Sequence, residues 1–151
     1  MCKEKNPAVP CAKKISGGEW EQMGTSRCVK AFYLTQHLNF EDAEKACRTY
    51  GGHLVSIHSK QELDQVVCTM FRVSPERPPY WIGLNLTVRY EDYLVYDWTD
   101  GTQHDFSYFA YMQPDFRQQA EKCVEINYNY WGQWNDMYCA APGGYVCALT
   151  V

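Results

Sequence analysis

The alternation of hydrophobic and polar positions changes character several times along the chain. Residues 1–27 are polar, broken by proline and glycine, and predict an extended lead-in without regular elements. "CVKAFYL" (28–34) mixes aromatic and branched residues in the manner of a strand. From Asn39 the period becomes helical. Phe40, Ala43, Cys47 and Tyr50 recur on one face, acidic residues fill the first turn, Asn39 is the expected N-cap and Gly51-Gly52 the stop. A second helix is predicted from Ser59, with Glu62 three residues on in a capping-box pattern and an apolar stripe of Leu63, Val66, Val67, Met70 and Phe71. Cys68 lies off that stripe and is expected to face outward or sideways. The proline-rich "SPERPP" (74–79) closes this helical half.

Beyond it the pattern shortens to strands and turns. "YWIGL" (80–84), "YLVYDW" (93–98), "CVEINY" (123–128) and "GGYVCALTV" (143–151) read as strands, with a turn at Asp100-Gly101. Residues 102–121 carry no regular period and are long for a loop, a length usually reserved for function or disorder. Two helices followed by several antiparallel strands, with one long irregular excursion, predict an α+β domain. There is no internal repeat and no low-complexity tract.

Composition narrows the function classes. A chain of 151 residues is one domain with a core of its own. Its net charge of −4 argues against nucleic acid, which asks for a basic face. No apolar run approaches the roughly eighteen residues of a membrane span, so no membrane insertion is expected. Met1 is followed directly by the charged "CKEK", which reads as a mature or trimmed chain without its leader. The eight cysteines, at 2, 11, 28, 47, 68, 123, 139 and 147, predict a disulfide framework and a secreted, oxidising setting. Zinc is the rival use for them. No CxxC pair occurs, and His37, His53, His58 and His104 stand at none of the usual ligand spacings, so they read as surface or capping residues. Asn85-Leu86-Thr87 is a glycosylation sequon, in keeping with secretion.

The candidate chemistry gathers in the last third. Gln113, Asp115, Glu121, Asn135 and Asp136 offer two carboxamide oxygens and up to three carboxylates. Calcium takes six to eight oxygen ligands at about 2.3–2.6 Å. The set lacks nitrogen and sulfur donors, so it suits calcium better than zinc or copper. The bland reading of the same residues is a set of solvated loop tips. A catalytic reading, with Glu121 and Asp136 as acid and base of a glycoside hydrolase, conflicts with chelation, because carboxylates on a metal are ionised and occupied. No nucleophile elbow, P-loop or HExxH motif appears. The pattern points to binding, not turnover.

Six features stand in one order. "WIGL" (81–84), "WTDG" (98–101), "QPD" (113–115), "EKCVEI" (121–126), "WND" (134–136) and the closing "YVC" (145–147), with Cys139, resemble the C-type lectin domain from about Cys11 to Leu149. The resemblance implies that fold over residues 11–151, after an N-terminal extension at 1–10. It implies the disulfides Cys11–Cys28, Cys47–Cys147 and Cys123–Cys139. Cys2 and Cys68 are left over: they pair with each other, or Cys2 competes with Cys11 or Cys28, or one of them links a homodimer.

The resemblance further implies that Gln113, Asp115, Glu121, Asn135 and Asp136 hold a calcium ion on which sugar binds, and that the Gln113–Pro114 bond is cis. "QPD" accompanies galactose-type rather than mannose-type sugars in the family, so the expected partners are glycans ending in galactose or N-acetylgalactosamine. The tryptophan that stacks on galactose in such members is replaced here by Arg117, leaving Phe116, Tyr130 or Trp131 to supply an aromatic face. An auxiliary calcium site is not expected, since Phe116 and Lys122 stand where it needs acids. The alternative is a protein-binding member of the fold, using the aromatic-rich 104–131 stretch in adhesion or immune modulation. Protons compete with metal for carboxylates, so sugar binding is expected to fade in mild acid. Sugar binding that persists in excess chelator at about pH 5 contradicts the calcium reading.

Overall fold

The structure, a computed structural model, describes residues 2–89, 94–115 and 121–151, with the backbone alone for Val88, Arg89 and Glu121. Its centre is the antiparallel pair of β2 (Arg27–Phe32) and β8 (Gly144–Thr150), Arg27 facing Thr150 and Phe32 facing Tyr145. β1 (Glu21–Met23) flanks β2. On the other side of β8 lie β4 (Tyr80–Arg89), β6 (Glu121–Ile126) and β7 (Trp134–Tyr138). β3 (His53–Leu54) also pairs with β8, and β5 (Leu94–Trp98) with β4.

The sequence reading expects antiparallel strands throughout, but β4 runs parallel to β8, with Tyr80 opposite Gly144. A parallel neighbour needs a long crossover, and the stretch holding β5, the loop, β6 and β7 provides one. β1, β3 and β7 were not expected. The first two are too short to show alternation, and β7 buries Asn135 and Asp136, which masks its strand character.

The helices α1 (Phe40–Thr49) and α2 (Lys60–Val73) form as their caps predict. Asn39 Oδ1 accepts from Asp42 N at 2.8 Å and Ser59 Oγ from Glu62 N at 3.1 Å. Glu62 reaches back to His58 N at 2.8 Å, one residue before the cap. Gly51, at φ +94, ends α1 in the left-handed conformation that favours glycine. Successive residues of β8 alternate between two clusters. Val146 and Ala148 join Leu63, Val66 and Met70 of α2, while Tyr145, Cys147 and Leu149 join Phe40, Ala43 and Cys47 of α1. Each helix thus covers one face of the sheet. Trp81, Trp98 and Trp134 are core residues.

All three disulfides implied by the resemblance are present. In the chain-entropy model the 100-residue link Cys47–Cys147 stabilises by about 4.7 kcal/mol and each of the shorter ones by about 3. Of the open alternatives for Cys2 and Cys68 the structure shows their pairing with each other, so all eight cysteines are bonded within the chain. Cys68 is fully buried, contrary to its expected outward position, whereas Phe71 of the predicted stripe is 40% exposed. Helical periodicity carries no information about a segment from elsewhere in the chain. Here the N-terminal residues lie against α2 and bury its Cys68 side. The lead-in is also more regular than expected: Pro10 bridges Glu21, and Cys11 N donates to Trp20 O at 2.9 Å.

One buried acid ties α1 to β3. Glu44 accepts from Leu54 N at 3.0 Å, Arg48 Nε at 2.9 Å and His53 Nδ1 at 2.7 Å. Burial alone pushes its carboxyl upward, but the Leu54 amide and the side-chain donors outweigh it and bring the group below its ordinary 4.5. A depressed carboxyl stabilises above its unfolded value and loses that contribution as pH falls through the folded one. Glu44→Gln is therefore expected to cost about 1–3 kcal/mol in urea unfolding at neutral pH, with the gap to wild type closing below pH 4.5. An equal gap at pH 7 and at about pH 3 refutes this account.

Candidate functional site

The long excursion from residue 102 is held to the sheet by Trp134, which opens β7. Its ring is fully buried and meets Trp98, Phe106 and Phe109 edge-on, with centroids at 5.7, 6.0 and 5.5 Å. Its backbone joins in: Trp134 N donates to Tyr108 O and Ala110 N to Trp134 O, each at 2.9 Å. These contacts lay residues 106–110 beside β7. A tight turn follows, closed by Gln113 N donating to Ala110 O at 2.9 Å, and the Gln113–Pro114 peptide after it is cis, as expected.

The turn delivers the two triplets to one another. Asp115 N donates to Asp136 Oδ1 at 3.1 Å, and Gln113 Nε2 lies 3.5 Å from Asp115 Oδ2. Asn135 and Asp136 are buried on β7. Four of the five expected oxygen residues thus share one locality. The fifth, Glu121, opens β6 opposite Tyr138, and its side chain lies outside the described residues. Among the described residues no three His, Cys, Asp or Glu side chains group as a metal site. Two of the five expected groups here are amides and one is Glu121, so the carboxylates described are Asp115 and Asp136.

Two observations bear on whether an oxygen-seeking ion fits. Gln113 Oε1 is buried and finds no hydrogen-bond partner among the described residues, a state that costs about 1–3 kcal/mol unless something else meets it. Asn135 Nδ2 donates to Glu125 Oε1 at 3.0 Å, which fixes the amide and turns its oxygen the other way. Both amides therefore have an oxygen to offer, next to two carboxylates. The donor set fits calcium.

Glu125 is a candidate site residue that the sequence reading passed over. It faces Asn135 directly across the β6–β7 hairpin. Burial pushes its carboxyl upward and the nearby Asp136 adds to this, while the bond from Asn135 opposes both. The signal was present in "EKCVEI", where residues two apart share a strand face, but it could be read only once the partner strand was known.

The expected stacking residues separate. Phe116 lies outside the described residues. Tyr130 is 70% exposed on the β6–β7 loop. Trp131 packs edge-on against Phe71 of α2 at 5.7 Å and lines a cleft with Cys2, Lys3 and Pro75, which Gln113, Asp115, Asn135 and Asp136 do not line. Gly132 beside it, at φ +86, is where a Cβ would press on Val67 at 3.1 Å. Asn85 of the sequon is half-buried in β4, between Asp97 and Cys123.

A second polar cluster has the connectivity of a catalytic triad. His58 Nδ1 lies 2.7 Å from Asp105 Oδ1, and His58 Nε2 lies 3.1 Å from Ser56 Oγ and 2.9 Å from Thr102 Oγ1. Ser56, however, is fully buried, accepts from Arg27 Nη1 at 2.9 Å and donates its proton to Asp100. Its hydroxyl is committed to protein partners. The cluster joins the turn at 100–102 to the loop before α2, a structural task consistent with a capping role for His58.

The Lectin C-type domain family model matches residues 36–149. The galactose-specific lectin nattectin of Thalassophryne nattereri is 30% identical over 95% of this chain and 92% of its own. Among solved structures, the C-type lectin CEL-I from Cucumaria echinata superposes with a TM-score of 0.77 at 29% identity, covering 87% of this chain and 94% of that one. Herring type II antifreeze protein superposes at 0.73 and 28% identity, covering 87% and 96%.

Proposed function

The chain belongs to the C-type lectin domain family, and from that premise we propose that it is a secreted, calcium-dependent lectin for galactose or N-acetylgalactosamine, with residues 11–151 as its carbohydrate-recognition domain. The observation that carries this reading is the buried, unmet oxygen of Gln113 beside Asp115, Asn135 and Asp136. Gln113, Asp115, Glu121, Asn135 and Asp136 would hold one calcium ion. When bound, the ion supplies coordination positions for two neighbouring sugar hydroxyls.

The protein's own groups do the selecting. Each carboxamide NH₂ has two hydrogens, so Asn135, with one given to Glu125, has another for a sugar oxygen. The carboxylates accept the hydroxyl protons. The order of amide and acid in Gln113-Pro114-Asp115 favours galactose, and the galactose-specific name of the fish relative supports the same choice. Four disulfides accord with an extracellular setting, and among the described residues no helix is long and apolar enough to cross a membrane.

A second reading is a protein-binding module without sugar binding; the antifreeze neighbour supports it only in that a domain of this fold need not bind sugar. Retention on galactose-agarose in calcium, with release by chelator, is the expected outcome for the lectin. Passage through the resin under both conditions favours the second reading. Glu125→Ala, which frees the Asn135 amide, is expected to weaken calcium binding about 10–100-fold in calorimetry while the metal-free protein stays folded. Glu125→Gln retains an acceptor for Asn135 and should bind calcium nearly as wild type does. Equal losses in the two variants would show that the charge of Glu125, not its orienting bond, is what matters.

A further inference from the structure

The turn that delivers Gln113 also carries two large side chains into solvent. Tyr111 is 90% exposed and Met112 73% exposed, the highest values among the exposed large hydrophobic residues described apart from Leu34 at 75%. They occupy the two central positions of the turn closed by Gln113 N and Ala110 O. Met112 has φ +68, where a non-glycine residue costs about 1–2 kcal/mol. Glycine would relax that position, and a small polar residue at Tyr111 would remove apolar surface from water. Neither side chain is explained by packing, since most of each is exposed to solvent.

Their place relative to the cage is set by the chain. Tyr111 is two residues from Gln113, so its Cα lies within about 7 Å of that of the expected ligand. A pyranose seated over Gln113 and Asp115 would bring its glycosidic substituent out over neighbouring surface. Pyranose rings have an apolar face of C–H groups, and a tyrosine presents a flat apolar body with a hydroxyl at its tip. Two side chains burying about 150–250 Å² each fall short of the roughly 800 Å² per partner of a stable protein interface, so the pair suits a small ring better than a protein.

We propose that Tyr111, with Met112 beside it, forms a subsite for the second ring of a bound glycan, stacking on the residue or apolar aglycone attached to the calcium-bound galactose. The proposal rests on the lectin reading above and adds to it a preference for extended ligands. The turn's backbone is tied to β7 through Ala110, so the place of the platform beside the site is set by the fold, while its side chains order on the ligand.

Calorimetry in calcium with methyl β-galactoside, lactose and p-nitrophenyl β-galactoside tests it. Wild type is expected to bind the two extended ligands about threefold to tenfold more tightly than the methyl glycoside. Tyr111→Ala should bring that ratio to about one while leaving methyl β-galactoside and calcium affinities unchanged, and Tyr111→Phe should keep it. A wild-type ratio surviving in Tyr111→Ala overturns the subsite and leaves the lectin reading intact, as does an equal weakening of all three ligands. Failure of wild type to bind methyl β-galactoside in calcium removes both.

Discussion

The contact on which the site depends is the wrapping of Trp134 by aromatic side chains. Residues 102–115 contain no helix and, beyond the single bridge of Phe109 to Trp134, no sheet partner to hold them. An irregular segment of that length stays in place only if it buries enough apolar surface to offset its entropy. Phe106 and Phe109 supply that surface from the loop, Trp98 from β5, and Trp134 receives all three. Because Trp134 immediately precedes Asn135 and Asp136, the residue that fastens the loop also sets the distance from "QPD" to "WND". Packing and chemistry are coupled through one side chain.

The scaffold beneath is stiff for a separate reason. β6 and β7 form a hairpin, Cys123–Cys139 cross-links it, and Cys47–Cys147 ties the far end of the sheet to α1. Asn135, Asp136 and Glu125 therefore stand on a stapled sheet, while Gln113 and Asp115 stand on a loop pinned to it. Under the proposed reading, a donor set with rigid and adaptable halves would suit an ion with flexible coordination better than one demanding fixed geometry. Tyr111 and Met112 belong to the adaptable half, at the point where the loop leaves its anchor.

Two buried acids, Glu44 and Glu125, stand in opposite environments. Glu44 is met by a backbone amide, an arginine and a histidine, and its carboxyl is held below the ordinary range. Burial carries Glu125 upward and the nearby negative Asp136 adds to this, although the Asn135 amide meets it. The first is balanced within the protein. The second lies in a locality that gathers negative charge and lone pairs, the condition under which a cation stabilises a fold.

Much of the fold was legible along the chain. The caps at Asn39 and Ser59, the stop at Gly51 and the five expected strands all follow from local periodicity and capping, which act over a few residues and therefore leave a local trace. The three expected disulfides and the cis Gln113–Pro114 bond came through likeness to a family, carried by short motifs in order. What the chain could not disclose were relations between distant segments. These include the Cys2–Cys68 bond that buries one side of α2, the parallel step from β4 to β8, Glu125 opposite Asn135, and the exposed pair at Tyr111 and Met112. Each depends on which surfaces meet after the chain has closed on itself, and burial between distant segments leaves no period in the sequence to read.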